Sequence, residues 1–280
     1  MDFSDLGHLH VSLEQDSQVA VLRLEHGKAN EMGRDQVQEL LILARILREP
    51  GGPRALITYS ERTTRSGTPI FIAGANVRER QGWSDDTVKE HVRWQRRVVS
   101  ELRRAPVFHV VVISGAALGW GTEFVLACDY RIACDNATFG LPETSLGIIP
   151  GAGGTSELWA HIGVPQALRL GMTGERINAD EAYRIGLVQE RVGDLGTGVK
   201  RARALAAQVA RRSPTAVAAF KLGVLSSTGV APELREEEEA RAYEHCVDCG
   251  EAAIGREHFD ALVRGGMAPW GIRVLWRPLT

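Results

Sequence analysis

The chain has 280 residues, 44 % of them hydrophobic and 24 % charged, with six Trp and seven Phe, so it is rich enough in apolar and aromatic side chains to fold around a sizeable core rather than stay disordered. Its 33 Lys and Arg against 35 Asp and Glu leave a net charge of −2, which excludes a global basic field for nucleic acid or an anionic membrane. Four cysteines are too few for a disulfide framework in a chain of this length.

The N-terminal stretch "MDFSDLGHLH" carries acids where a signal peptide carries bases, and no 18-residue apolar run follows anywhere, so a cytoplasmic chain without membrane contact is expected. "VAVLRL" (19–24) alternates and "RALITY" (54–59) is an apolar run, and both predict strands. Between them, "DQVQELLILARIL" has apolar residues at three-to-four spacing and predicts a helix. "FHVVVIS" (108–114) and "YRIAC" (130–134) predict further strands, the first of them buried. Strands and helices therefore alternate, which predicts an α/β fold. From about Val199 the pattern becomes helical only: "VKRARALAAQVARR", "PTAVAAFKLGVL", then a stretch from Pro232 to about Val263. The division drawn from this is a core over residues 1–200 and a helical region over 201–280, whose apolar faces need a partner surface. No internal repeat at a fixed period is visible.

Several motifs are absent or incomplete. "GAGGTS" (151–156) has Ser156 where a dinucleotide fingerprint wants its last glycine, the P-loop lysine is missing, and neither G-x-S-x-G nor H-E-x-x-H occurs. "HCVDCGE" offers one C-x-x-C without a second ligand pair, so it reads as two free thiols on a helix and no metal is expected. His109, inside an apolar strand, reads as a core residue.

What remains is "GAALGWGTEF" (115–124), in which helical spacing starts at Trp120 or Gly121. The glycines then lie at a helix N-terminus, where free N–H groups suit an anion. Glu123 falls in the first turn, either to complement the helix dipole or to do chemistry. "FGLPETSLGIIPGAGGTSE" brings Glu143 after a proline, ahead of a glycine-rich turn. Two carboxylates near an array of backbone donors can divide acid and base work between them.

"FIAGANVRE" (71–79), "SGAALGWGTEFVLACDYRIA" (114–133) and "FGLPETSLGIIPGAGGT" (139–155) resemble, in order and spacing, the three signature segments of the enoyl-CoA hydratase/isomerase, or crotonase, superfamily. "GKANEM" (27–32) and "MTGERINADEAYRIGLV" (172–188) extend the resemblance over most of the chain. The resemblance implies a spiral of ββα units with a C-terminal helical region that mediates trimerisation, the trimers commonly pairing into hexamers. It implies an acyl-CoA substrate, with coenzyme A as carrier rather than cofactor, and an enolate held by two backbone N–H groups, those of Ala75 and Trp120. Such donors are worth about 3–4 kcal/mol each. Glu123 and Glu143 match the glutamate pair of the hydratases, and Lys28, Ala29, Ala73 and Arg264 are the residues expected to contact coenzyme A.

The chain also departs from the pattern. Trp120 stands where most members have Gly, Asn76 where Asp is common, the connection over 58–76 is long, and the C-terminus lacks the usual Lys-rich ending, for which Arg264 is the substitute. The Trp120 ring either packs into the core beneath its helix or walls the acyl channel. Three functions follow: hydration of a 2-enoyl-CoA or its reversal; another enolate-handling reaction such as isomerisation, decarboxylation or C–C hydrolysis; or non-catalytic acyl-CoA binding, against which the intact glutamate pair speaks.

Overall fold

In the computed structural model, Phe3, residues 5–14 and residues 18–279 are described. Met1, Asp2 and Ser4 of the acidic N-terminal stretch lie outside the described residues. β1 (His10–Glu14) pairs antiparallel with β2 (Val19–Leu24), and α1 (Arg34–Ile46) follows. Three ββα units come next: β3 (Ala55–Ser60), β4 (Ile70–Ile72) and α2 (Asp85–Arg103); β5 (Phe108–Ile113), β6 (Ala116–Leu118) and α3 (Trp120–Leu126); β7 (Tyr130–Cys134), β8 (Thr138–Gly140) and α4 (Gly154–Thr173). Then come β9 (Arg176–Asn178), α5 (Ala179–Arg184) and β10 (Glu190–Val192), followed by α6 (Leu195–Ala210), α7 (Pro214–Ser226), α8 (Pro232–Asp248), α9 (Glu251–Glu257) and α10 (Phe259–Val263).

The first strand of each unit joins one sheet, ordered β1-β2-β3-β5-β7-β10, and the second joins another, ordered β4-β6-β8-β9. Within each sheet successive units add their strands in parallel, and only β1 and β9 run antiparallel. Each unit thus repeats the last one beside it, which makes the α/β spiral expected from the resemblance.

The large sheet is covered on both faces, which is why its strands read as apolar runs. Ala20, Leu22, Leu24, Leu56, Val111 and Ile113 face the cluster that holds α1 and α2. Val19, Val21, Ile57, Val110, Val112 and Ile132 face Val199, Ala202, Ala206 and Ala210 of α6. The fit is close because a Cβ on Gly198 would come within 2.5 Å of Val112 Cγ1. The helices beyond residue 200 were expected to have no sheet to cover, and α6 corrects this: residue 200 lies inside a helix that seals one face of the core. The region without a sheet begins at α7.

Two further elements differ from expectation. The stretch Pro232 to Val263 is three helices, broken where Gly250 takes φ 82° and again at His258. Helix α2, capped by the Ser84 hydroxyl accepting from Thr87 N–H at 3.2 Å, has no counterpart in the sequence reading. His109 is fully buried and its Nε2 meets Thr58 Oγ1 at 2.8 Å, as a core residue should. Cys246 lies on α8 and Cys249 caps it, both as free thiols. Among the described residues no helix is long and apolar enough to cross a membrane.

Among the side chains that tie down the irregular C-terminal tail, Arg273 makes the most hydrogen bonds. Arg273 is buried and donates to the carbonyls of Pro53, Pro106, Leu47 and Glu49 at 2.9, 3.2, 2.6 and 2.5 Å. One of these acceptors, Leu47, is the C-cap of α1, where positive charge is favoured. Burial lowers the guanidinium to about 10, so it stays charged at neutral pH. Arg273→Met should cost about 2–3 kcal/mol, because buried carbonyls lose their donors. A urea midpoint equal to the wild type's would show that water replaces them.

Candidate active site

The small sheet sets the site. β4, β6 and β8 are parallel neighbours, so the chain leaves all three at one edge, the carboxyl end where ligands of such sheets collect. Ala73, Gly74 and Ala75 follow β4, Gly119 and Trp120 follow β6, and Leu141, Pro142 and Glu143 follow β8.

Glycines allow the three exits to lie so close. Gly119 takes φ 52° to start α3, donates to Gly140 O at 2.8 Å, and would place a Cβ only 2.5 Å from Glu143 Oε1. A Cβ on Gly121 would meet Ile72 O at 2.4 Å, so α3 rests directly on the end of β4. On the other side, Met32 N–H donates to Gly74 O and Asn76 N–H to Met32 O, both at 2.9 Å. This bridge holds Ala75 between two bonded neighbours with its own N–H turned away. Asn30, buried at φ 51°, steadies the same loop by donating to Ser60 Oγ and Phe71 O, each at 2.9 Å. Neither Ala75 N–H nor Trp120 N–H has an acceptor among the described residues.

Glu123 sits one turn into α3 and is 3 % exposed. The turn "GAGG" serves it rather than a phosphate: Ala152 N–H and Gly154 N–H donate to its Oε1 at 2.7 and 2.9 Å. Burial, opposed by these two donors and aided by the nearby Glu143, pushes its carboxyl up to about 7. Glu143 stands in a 3₁₀ turn, Pro142–Leu146, and is half-buried. Burial raises it too, and its Oε2 is buried without a partner.

Ala73, Ala75, Trp120, Glu123 and Glu143 all line one cavity of about 740 Å³. Trp120 borders it, yet is 2 % exposed, and its ring stacks on Phe124 at 5.7 Å within the main core. Ala29 stands behind the wall, accepting from Ala73 N–H at 3.1 Å. Lys28 is exposed and Arg264 is an exposed residue at the end of α10; neither is among the lining residues. The tail around Arg264 is held at the end of α6, where Arg211 bonds to Gly265 O.

The sequence reading missed the wall built by α2. Lys89, Arg93 and Arg96 line the cavity at spacings of four and three, one helix face, and Arg80 and Gln95 stand beside them. That basic periodicity was a usable signal.

The profile of a family described as enoyl-CoA hydratase/isomerase matches residues 14–259. Over 198 residues the chain is 39 % identical to the mouse protein called enoyl-CoA hydratase domain-containing protein 2, mitochondrial, covering 70 % of this chain and 65 % of that one. It is 36 % identical over 190 residues to a crotonyl-CoA hydratase of Syntrophomonas wolfei, covering 67 % and 70 % of the two chains. Among solved structures, an enoyl-CoA hydratase from Bacillus anthracis superposes with a TM-score of 0.84 at 31 % identity, over 94 % of this chain and 98 % of that one.

Proposed function

The chain belongs to the enoyl-CoA hydratase/isomerase family, and from that premise we propose that it adds water across the 2,3 double bond of an enoyl-CoA thioester, or removes it in reverse. The observation that carries this reading is that Glu123 and Glu143 line the same cavity as the two backbone N–H groups left without acceptors.

The thioester oxygen sits between Ala75 N–H and Trp120 N–H, and the charge it gains as C3 is attacked is met by donors already in place. Hydration consumes one base and one acid. A carboxylate of the pair takes a proton from water as its oxygen bonds to C3, and the protonated partner delivers a proton to C2. The pair ends with the proton count it began with. Burial pushes Glu123 up to about 7 and raises Glu143 as well, so near neutral pH Glu123 is present both with and without its proton, as a group that must serve as acid or base requires.

Incubation with a 2-enoyl-, a 3-enoyl- and a malonyl-type CoA thioester, with products identified by mass, tests the reading. The 2-enoyl ester should gain one water. A 3-enoyl ester converted without change of mass, or a malonyl ester that loses carbon dioxide, with the 2-enoyl ester untouched, assigns the site to isomerisation or decarboxylation instead.

The proposal extends to assembly as a trimer or a dimer of trimers. Helices α7 and α8 bury only a small cluster of their own, around Ala219, Leu222 and Trp276, while Phe220 stands 76 % and Tyr243 71 % exposed beside the groove between them. Apolar side chains of that size call for a partner surface. Sedimentation at micromolar concentration should give three or six copies, and a monomer would contradict this.

A further inference from the structure

Arg80 and Gln95 stand together in the wall of the cavity, and the hydration chemistry uses neither. Arg80 Nη2 donates to Gln95 Oε1 at 3.2 Å. This bond fixes the amide orientation and turns the Gln95 Nε2 donors the other way. Both the Gln95 Nε2 and the Arg80 Nε are buried and have no partner. Gln95 is 2 % exposed. Arg80 forms no ion pair within 4 Å among the described residues; Glu79 and Glu123 influence it only at longer range. A guanidinium without an ion-pair partner and the amide bonded to it thus stand in the cavity wall, and each carries one buried donor without an acceptor, an arrangement that costs stability.

The surrounding charge has the same sign. The lining carries Arg80, Lys89, Arg93 and Arg96 against Glu123 and Glu143, and burial raises both carboxyls, which lessens their negative charge. Arg80 ends the 3₁₀ turn Val77–Arg80 that begins two residues after Ala75, lines the same cavity as Ala75, and feels the charge of Glu123, so an acyl chain whose carbonyl is at Ala75 lies in the cavity that Arg80 borders.

We infer that Arg80 and Gln95 form a subsite for a carboxylate at the distal end of the acyl group, so that the preferred substrate is the mono-CoA thioester of a short dicarboxylic acid. A carboxylate accepts charge-assisted hydrogen bonds from a guanidinium and neutralises a cation that has no ion-pair partner of its own. The inference rests on the acyl-CoA reading of the cavity and deepens it.

The test separates the two. Binding is measured by calorimetry with the saturated, unreactive esters glutaryl-CoA and butyryl-CoA, which share the coenzyme and differ in the terminal carboxylate. The protein should prefer glutaryl-CoA by about tenfold to a hundredfold, the range of a charge-assisted pair. Arg80→Met should collapse that ratio toward one, and Gln95→Leu should reduce it by less. Equal or weaker binding of glutaryl-CoA by the wild type overturns the subsite whether or not the variants fold. A preference that survives Arg80→Met, with folding verified by circular dichroism, assigns it to other residues and overturns it as well. Failure of both esters to bind overturns the acyl-CoA reading itself, while the expected ratio without hydration of glutaconyl-CoA keeps the subsite and removes only the hydratase step.

Discussion

Glu123→Gln should lower kcat by about 10²–10⁴-fold, the usual worth of an acid–base group, and should stabilise the protein above neutral pH. The two effects have one cause. Burial holds the Glu123 carboxyl at about 7 against an ordinary 4.5, so the folded chain binds that proton more tightly than the unfolded chain does. For a group raised in this way, the stability it contributes is fully present below about pH 4.5 and is lost as pH rises through about 7. A glutamine carries no charge to bury, and its amide oxygen can still accept from Ala152 and Gly154. At pH 8 the variant should therefore be more stable than the wild type by on the order of 2 kcal/mol, and the difference should close toward pH 5. Glu143→Gln should reduce kcat over a similar range, with KM for the CoA ester little changed, since the roles proposed for the pair are at the water and at C2 rather than at the carrier. Full turnover in either variant on the wild type's preferred substrate removes that residue from the mechanism. A stability difference that does not vary with pH would show that Glu123 is not held protonated.

Trp120→Gly should cost about 3–5 kcal/mol, as removal of a buried aromatic side chain does. At 2 % exposure the ring is core: it lies nearly parallel to Phe124 at 27°, and Phe124 in turn contacts Phe71 and His109. The backbone N–H that faces the cavity survives the substitution, so relative kcat/KM values across acyl chain lengths should stay within about threefold of the wild-type pattern, the change that ~0.6 kcal/mol would bring. Trp120→Phe should retain most of the stability, since it keeps an aromatic ring and removes an indole N–H that is buried without a partner. Chemical denaturation of the three proteins, with kcat/KM for short and bulky enoyl-CoAs, decides the matter. A stable Trp120→Gly protein that accepts bulkier acyl groups would mean that the ring walls the channel.

The strands β2, β3, β5 and β7 and the helix α1 were legible because their signal is local. A strand buried on both faces must be an unbroken apolar run, and a helix covering a sheet must repeat its apolar residues every three to four positions. The signature segments were legible for a similar reason: Gly119 is imposed by its φ of 52° and Gly121 by the Ile72 carbonyl, which leaves no room for a side chain. Fold class and site segments were therefore written in short stretches of chain. The repeat of the ββα unit was not, because its helices have 19, 7 and 20 residues and so destroy any fixed period. An apolar stripe says that a face is covered but not by what, and only the folded chain shows α6 on the large sheet and α7 and α8 without one. The glycine-rich turn could be read as a donor array, but its recipient, Glu123 Oε1, is 29 and 31 residues away in sequence. The direction of the Trp120 ring and the pairing of Arg80 with Gln95 likewise depend on segments that meet only when the parallel strands close side by side. Sequence patterns report what each residue needs from its near neighbours along the chain, whereas the partner that meets the need is selected by long-range packing.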